Sequence, residues 1–479
     1  MKNSVISYCY DRNQIRSGIL HIGVGNFHRA HEEYYTNKIL EFEDQHLWGI
    51  CGAMLLQGDE RLYRVLKKQD NEYTLTVCGR RGDNMVYKIG SLVELYWGIN
   101  EREEILSKIS DKDIRIITLT ITEGGYNMEK TTGEFLIDDI NIRHDLDNPE
   151  HPNTVFGFVA EGLRRRKTCG NGPITILSCD NLQHNGNTAR KSFLSFIKAQ
   201  DKELASWVEE NVTFPNSMVD RITPVTRPDD VERLNRENGT DDEAPVYCED
   251  FIQWVVEDKF IAGRPSWERV GVVFTDDVSP YENMKLSLLN ASHTLLSYPS
   301  FLSGYRKVDD AMADDRIVRF VRGFMDMDIT PYVLVPQDTD LEVYKQTLIE
   351  RFANRSVSDQ ISRLCFDGIS KFPVYVMPNL IKMIHDNADL RRVAFLIAAY
   401  RHYLKYKTDD KGNAFEVSEP WMTSEDVCCI NSGSPIDFLG LSAFKSTDLK
   451  NAPAFTGLYS GFVERIKAEG AMSVIESLI

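Results

Sequence analysis

The chain has 479 residues, 42% of them hydrophobic, which is enough apolar surface for two or three cored domains at roughly 100 to 200 residues each. Its 72 acidic side chains outnumber 55 basic ones for a net charge of −17, a balance that repels phosphate backbones and anionic bilayers and excludes nucleic acid and membranes as expected partners. The opening residues, MKNSVISYCYDRNQIRSG, contain no apolar run of signal-peptide type, and the longest apolar stretch, Val393 to Tyr400, is far short of a span, so a cytoplasmic protein is expected.

In chain order, short apolar runs at Gly18 to Gly23, Leu47 to Gly52, Ile114 to Thr122, Ile174 to Cys179 and Val270 to Thr275 alternate with helix-like segments. That alternation predicts an α/β domain with a largely parallel sheet. The polar, strand-poor stretch Thr223 to Pro245 reads as an excursion over the surface. From about Tyr281 onward the pattern turns helical, as in Leu341 to Arg355, Asp389 to Tyr406 and the final residues from Phe455. The expected organisation is an N-terminal Rossmann-like dinucleotide-binding domain over residues 1–278 and a mainly α-helical substrate and catalytic domain over residues 279–479. The nine cysteines form no CxxC pair, and Cys51, Cys179 and Cys365 lie in apolar runs, so buried reduced thiols are expected.

After the first apolar run comes Gly23-Val24-Gly25-Asn26-Phe27-His28, then a helical pattern with Phe27, Ala30 and Tyr34 on one face. Gly23 permits a tight turn and Gly25 lets backbone amides approach a pyrophosphate at a helix start. His28 stands where a third glycine is usual, and a tight βα turn without a ligand remains an alternative. Ligands of open α/β sheets bind outside the carboxyl ends of strands, and here two further ends are polar: Thr122-Glu123-Gly124-Gly125-Tyr126 and Ser178-Cys179-Asp180-Asn181. The second strand lacks a terminal acid; the nearest is Asp59, beside Glu60. An acid there repels a 2′-phosphate and favours NAD, with a solvated loop acid as the alternative.

Tyr281 to His293 opens the helical half and sets Lys285, Asn290 and His293 among leucines. On an ideal α-helix Lys285 and His293 fall roughly 80° apart with Asn290 roughly 60° further, one broad face. Burial moves a lysine from about 10.4 towards 7 or 8, where it acts as a general base. Alcohol oxidation needs such a base, and donors aimed at the developing oxyanion; the amides of Asn290 and Asn181 suit that role. His293 can fix the substrate or the lysine, and Glu282 can pass the proton to solvent. A snorkelling lysine and a satisfied core histidine are the competing readings, and spacing alone leaves both open.

The stretches HIGVGNFHRAH, LTITEGGY, TVFGF, SCDNLQHNG, FPNSMVDRITP, FIQWVVEDKF, FTDDVSPYENMKLSLLNASH and DGISKFP cover almost the whole chain. With them the sequence resembles the mannitol dehydrogenase family of polyol-specific long-chain dehydrogenases. The resemblance implies a catalytic lysine, asparagine and histidine at Lys285, Asn290 and His293, and an oxyanion-hole asparagine at Asn181. It implies proton movement through Glu282, a further acid at Glu123, and substrate hydroxyls held by Asp220, Arg363 and Lys371. Relatives of the mannitol type carry two adjacent acids where this chain reads Gly58-Asp59, so NAD is expected with less strict exclusion of NADP. A metal-independent sugar-alcohol dehydrogenase, monomeric or weakly dimeric, is the implied protein.

Tyr281xxxLys285 also fits the short-chain reductase pattern, but so does Tyr403xxxLys407, and the chain is too long for that class. Zinc-dependent dehydrogenases need clustered Cys and His ligands that the sequence lacks. The alternatives within the family are an arabinitol or sorbitol dehydrogenase and a hexuronate reductase, in which Arg363 and Lys371 would pair with a carboxylate. A dinucleotide sensor without activity is the alternative outside it.

Overall fold

In the computed structural model, which describes residues 3–129, 132–337 and 339–479, strand β1 (Ser17–Ile22) is buried along its whole length. It is followed by helices α1 (Asn26–Ala30) and α2 (Glu32–Ile39), strand β2 (Gly49–Met54), helix α3 (Glu60–Lys68), strand β3 (Leu92–Trp97) and helix α4 (Arg102–Ser110). Strand β4 (Ile116–Leu119), helix α5 (Val155–Cys169), strand β5 (Ile174–Ser178), helix α6 (Asn185–Gln200) and strand β6 (Val212–Thr213) complete the layer. The six strands form one parallel sheet in the order β3-β2-β1-β4-β5-β6, the doubly wound dinucleotide-binding order. Strand residues alternate between its two faces: Leu20 and Ile22 pack with Val159 and Leu163 of α5, whereas Ile19 packs with Tyr35 and Ile39 of α2.

Three expectations change. The expected continuous helix carrying Phe27, Ala30 and Tyr34 is broken at His31 (φ −118°, ψ −82°), so Tyr34 belongs to a second helix. The run Val270 to Thr275 does not join the parallel sheet; Val273–Thr275 lies in a three-stranded sheet with Ser217–Asp220 and Gln253–Glu257. Residues 223–245 hold a helix, Pro228–Asn238, closed by Gly239 at φ +70°. That segment reads as polar because only a narrow side is buried: Leu234 packs inward, and Asn238 donates to Thr76 Oγ1 (2.9 Å). A four-stranded sheet holding Tyr73–Cys78 completes the first compact unit, Met1–Ser279.

The second unit, Pro280–Ile479, is helical around one core. It begins within helix α7 (Ser279–Met284) and continues through α8 (Ala291–Leu302), α9 (Ile361–Cys365), α10 (Gly368–Tyr375), α11 (Arg391–Tyr406) and α12 (Pro453–Glu476). Every residue of α8 is buried, and Phe395 of α11 meets Phe462 of α12 edge-on at 5.8 Å. Among the described residues no helix is long and apolar enough to cross a membrane. The nine cysteines are all free, with Cys51, Cys179 and Cys365 buried.

Candidate active site

Gly23 follows β1 at φ +103°, and a Cβ there would stand 2.1 Å from the Thr120 carbonyl oxygen, so only glycine fits. Its amide donates to Ala53 O (3.0 Å), and its carbonyl accepts from Thr120 Oγ1 (2.7 Å), which fixes the turn between β2 and β4. Gly25 differs, because a Cβ there meets only Gly23 O at 3.7 Å. The fold itself leaves that position open, a cradle at the point where the strand order reverses. Asn26 and Phe27 open α1. The Asn26 side chain is committed to the protein, donating to Pro224 O and Thr226 Oγ1 (3.3 Å each) and accepting from Arg29 (2.7 Å). What it retains for a ligand is a first-turn amide. Phe27 stacks on His31 at 5.0 Å. Asp59 closes the loop after β2, its Oδ2 accepting the Leu56 amide (2.9 Å); burial pushes its carboxyl pKa up against the pull of the loop amides.

Two neighbouring strand ends are tied to this turn. Asp180, just past β5, accepts the amides of Ile121 (3.1 Å) and Thr122 (2.9 Å) and the Tyr126 hydroxyl (2.7 Å). Burial raises its pKa to about 6 despite those three donors. Its grip holds Thr122 at φ +67°, ψ 165°, a conformation that costs a β-branched residue about 1 to 3 kcal/mol and that shapes the following Glu123-Gly124-Gly125 turn. Asn181 comes next and is exposed. Asn185, wholly buried, donates to Ser178 O (3.1 Å) and Ser217 O (2.9 Å) and accepts from Ser217 N (2.8 Å), fastening β5 to the strand that ends in the buried Asp220.

Beneath the glycine turn lies a buried ionic cluster. His28 Nδ1 stands 3.2 Å from Glu32 Oε2, and Nε2 stands 3.0 Å from Glu33 Oε1. The His21 ring stacks on His28 (centroids 3.3 Å, 8°), and Thr118 and Tyr73 hydroxyls donate to Glu32 and Glu33 (2.9 Å each). Burial pushes His28 down, but the two carboxylates outweigh it and raise its pKa to about 9, so it is an imidazolium at neutral pH. Burial lowers His21 to about 4 and leaves it neutral. His21, His28 and Glu32 are near enough to share a metal ion, but parallel stacked rings aim their nitrogen lone pairs alongside each other rather than at a common point. The cluster is built as an ion pair network, with His28 in the place of the missing third glycine.

In the second unit Lys285 to Asn290 form a π turn that runs directly into α8. This corrects the expected α-helical spacing. A π turn holds more residues per turn, so each residue advances by less than 100°, and Asn290 swings toward Lys285 from the roughly 140° separation of an ideal α-helix. Lys285 (7% exposed), His293 (8%) and Glu282 (3%) are buried, and Asn290 is partly exposed. The π turn therefore gathers these polar groups among the buried Met284, Ser287, Leu288 and Leu289. His293 stacks on Phe352 (4.1 Å). Arg363 donates through Nε to Asp359 Oδ1 (2.8 Å) and through Nη2 to Oδ2, and Lys371 donates to the carbonyls of Arg363 (3.3 Å) and Leu364 (3.1 Å). Burial would raise the Asp359 pKa, but the Arg363 hydrogen bonds, its charge and His293 hold it below the usual carboxylate range.

Of the expected residues, Gly23, Gly25, Asn26, Phe27, Asp59, Asn181 and Asp220 lie in the first unit, and Glu282, Lys285, Asn290, His293, Arg363 and Lys371 in the second. Sequence reasoning passed over His28, Asp180, Asn185 and Asp359. A histidine at a glycine position, followed by Glu32-Glu33, is the available signal for the first, and the polar strand end that for Asp180; Asn185 and Asp359 show only as partners in space.

Residues 17–269 match the mannitol dehydrogenase Rossmann domain, and residues 277–466 match the mannitol dehydrogenase C-terminal domain. A polyol:NADP oxidoreductase of Gluconobacter oxydans is 44% identical, across 86% of this chain and 84% of its own. A mannitol 2-dehydrogenase of Aspergillus fumigatus is 36% identical across 98% and 95%. The D-mannonate oxidoreductase of Escherichia coli is 35% identical across 98% and 97%. Among solved structures, a substrate-free D-sorbitol dehydrogenase is 40% identical with a TM-score of 0.92 over 98% of this chain and 97% of its own. The Pseudomonas fluorescens mannitol 2-dehydrogenase, solved with NAD and D-mannitol, is 40% identical with a TM-score of 0.89 over 99% and 96%. Matching across both units, in sequence and in fold, the chain belongs to the mannitol dehydrogenase family.

Proposed function

We propose that this protein is an NAD-dependent polyol dehydrogenase that oxidises a secondary hydroxyl of a sugar alcohol to the ketose, D-mannitol to D-fructose, and runs the reverse reduction. The observation that carries the reading is the polar set Glu282, Lys285, Asn290 and His293 on one π-to-α segment, set among the apolar residues Met284, Leu286, Leu288, Leu289 and Ala291. The cradle at Gly25 supports a dinucleotide, since a Cβ there would meet nothing nearer than Gly23 O at 3.7 Å among the described residues, which leaves room for close backbone approach. When bound, NAD supplies the acceptor for the hydride leaving the carbinol carbon.

The chain supplies the rest. The Lys285 amine takes the hydroxyl proton as general base, and Glu282 three residues earlier passes it toward solvent. The amides of Asn290 and Asn181 donate to the oxygen as it gains charge. His293, fixed against Phe352, orients the substrate, and Asp220, Arg363 and Lys371 hold its remaining hydroxyls. Gly23, Gly25, Asn26 and Phe27 carry the pyrophosphate, and Asp59 faces the adenosine ribose. Relatives named for mannitol, sorbitol and mannonate define the candidate substrates, two polyol epimers and a sugar acid.

The test follows NADH absorbance with chelator-treated protein on mannitol, sorbitol, arabinitol, fructose and fructuronate, with NAD and with NADP. Turnover of mannitol and fructose that survives the chelator is expected. Preference for fructuronate would make the protein a hexuronate reductase, and inactivity on all five would remove the polyol reading. Lys285→Ala should lower kcat by several orders of magnitude with NADH affinity nearly intact; equal loss of NADH affinity would remove the lysine from the base role.

A further inference from the structure

We infer that Asp359 is a specificity-determining residue that turns this site toward uncharged polyols and away from sugar acids. The inference rests on the polyol reading and adds the charge class of the substrate. Arg363 is the residue on which the choice turns, because the Nε and Nη2 edge of a guanidinium is the fork that matches a carboxylate bidentately. In this chain that edge is already taken by Asp359, one oxygen on each nitrogen.

Asp359 is fixed and Arg363 reaches outward. The Asp359 side chain is 10% exposed and that of Arg363 56%. Oδ1 of Asp359 also accepts the Gln360 amide (2.9 Å), and its backbone carbonyl accepts the Val308 amide (2.9 Å), so the acid is anchored by the fold rather than by the arginine alone. Lys371, the second expected contact, has its ammonium on two carbonyls, one of them that of Arg363. The acid lies within electrostatic reach of His293, which places the pair beside the polar segment of α8.

The consequence follows from counting charge. Arg363 and Asp359 together are neutral, with the outer guanidinium protons left over, so of the two expected cations only Lys371 keeps a net charge, and its ammonium is already engaged by two carbonyls. A hydroxyl needs one donor and no countercharge, and such a proton serves it. A carboxylate needs a net positive partner and would instead stand near a fixed anion. A like charge about 6 Å away at an effective dielectric of about 40 costs a factor of roughly ten in affinity.

The test compares kcat/KM for D-mannitol and D-mannonate in the wild type, Asp359→Asn and Asp359→Glu. Asp359→Asn should raise the mannonate-to-mannitol ratio about tenfold, chiefly through KM for mannonate, and Asp359→Glu should leave the ratio near that of the wild type. An unchanged ratio in an Asp359→Asn protein that still oxidises mannitol would overturn the inference, as would a wild type that already prefers mannonate. A wild type inert on every polyol would overturn the polyol reading itself, a different result from an unchanged ratio. Should Asp359→Asn not fold, wild-type inhibition by D-mannonate reads the same charge: an inhibition constant at least tenfold above the KM for mannitol is expected, and one at or below that KM overturns the inference.

Discussion

Replacing His28 with glutamine removes the imidazolium held between Glu32 and Glu33 and leaves two buried carboxylates facing neutral donors: the Thr118 and Tyr73 hydroxyls, the His21 ring 3.2 Å from Glu32, and the new amide. A folded-state pKa of about 9 against the ordinary 6.5 corresponds to about 3 kcal/mol of stabilisation. Because the folded value is the higher one, that contribution is fully present below pH 6.5 and is lost as pH rises through 9. The neighbouring rings act with the opposite sign. His21, lowered to about 4, and His31, lowered to about 3, both chiefly by burial, contribute stability above pH 6.5 that is lost as pH falls toward those values. The first unit should therefore lose stability at both ends, with His28 responsible for the alkaline limb.

Tryptophan fluorescence isolates that unit, since Trp48, Trp97, Trp207, Trp254 and Trp267 lie in it and only Trp421 does not. At about 2 °C per kcal/mol for a unit of this size, the wild-type midpoint should fall by roughly 6 °C between pH 6.5 and 9.5. His28→Gln should unfold at a lower temperature at pH 6.5, with a cost of about 3 to 5 kcal/mol for the stranded carboxylates, and should show no such alkaline fall. Parallel alkaline losses in wild type and variant would refute the assignment of charge to His28.

Gly23→Ala should destabilise the first unit by 2 kcal/mol or more, because its Cβ meets the Thr120 carbonyl, whereas Gly25→Ala should unfold like the wild type and lose NADH affinity in a fluorescence titration. Asp59→Asn keeps an acceptor for the Leu56 amide while removing the charge, so thermal stability should hold and the NAD-to-NADP ratio of kcat/KM should fall about tenfold; an unchanged ratio would show that another group reads the ribose. Asp180→Asn turns an amide donor on Ile121 or Thr122, and NADH affinity should drop together with about 2 kcal/mol of stability. Deleting Leu286 should relax the π turn to an α-helix, giving a folded protein that binds NADH but has lost turnover of mannitol.

What could be read from the sequence was whatever repeats with a structural period or stands in a familiar order. The strand runs at Gly18 to Gly23 and Ile174 to Cys179 fall on β1 and β5, and the helical runs from Leu341 and Asp389 fall on helices, because burial on a sheet face or helix stripe writes its period directly into the chain. The segment Pro228–Asn238 escaped because a helix with one narrow buried side has almost no apolar period to show. The site divides in the same way. Lys285, Asn290 and His293 stand out as polar residues in an apolar run, but their angular relation depends on a π turn, and nothing in KLSLLN announces one more residue per turn. Asp180, Asn185 and Asp359 act by holding another residue: Asp180 holds the strained Thr122, Asn185 fastens the strand of Asp220, and Asp359 occupies Arg363. The first two are buried polar groups with three or more hydrogen bonds each, and the third fixes a charge by two. Such residues are chosen by partners distant in the chain, so a single sequence names the groups that do the chemistry before it names those that aim them. The same asymmetry makes Asp359 the informative position for substrate choice, since a guanidinium alone says only that some oxygen is recognised, and its partner says whether that oxygen carries a charge.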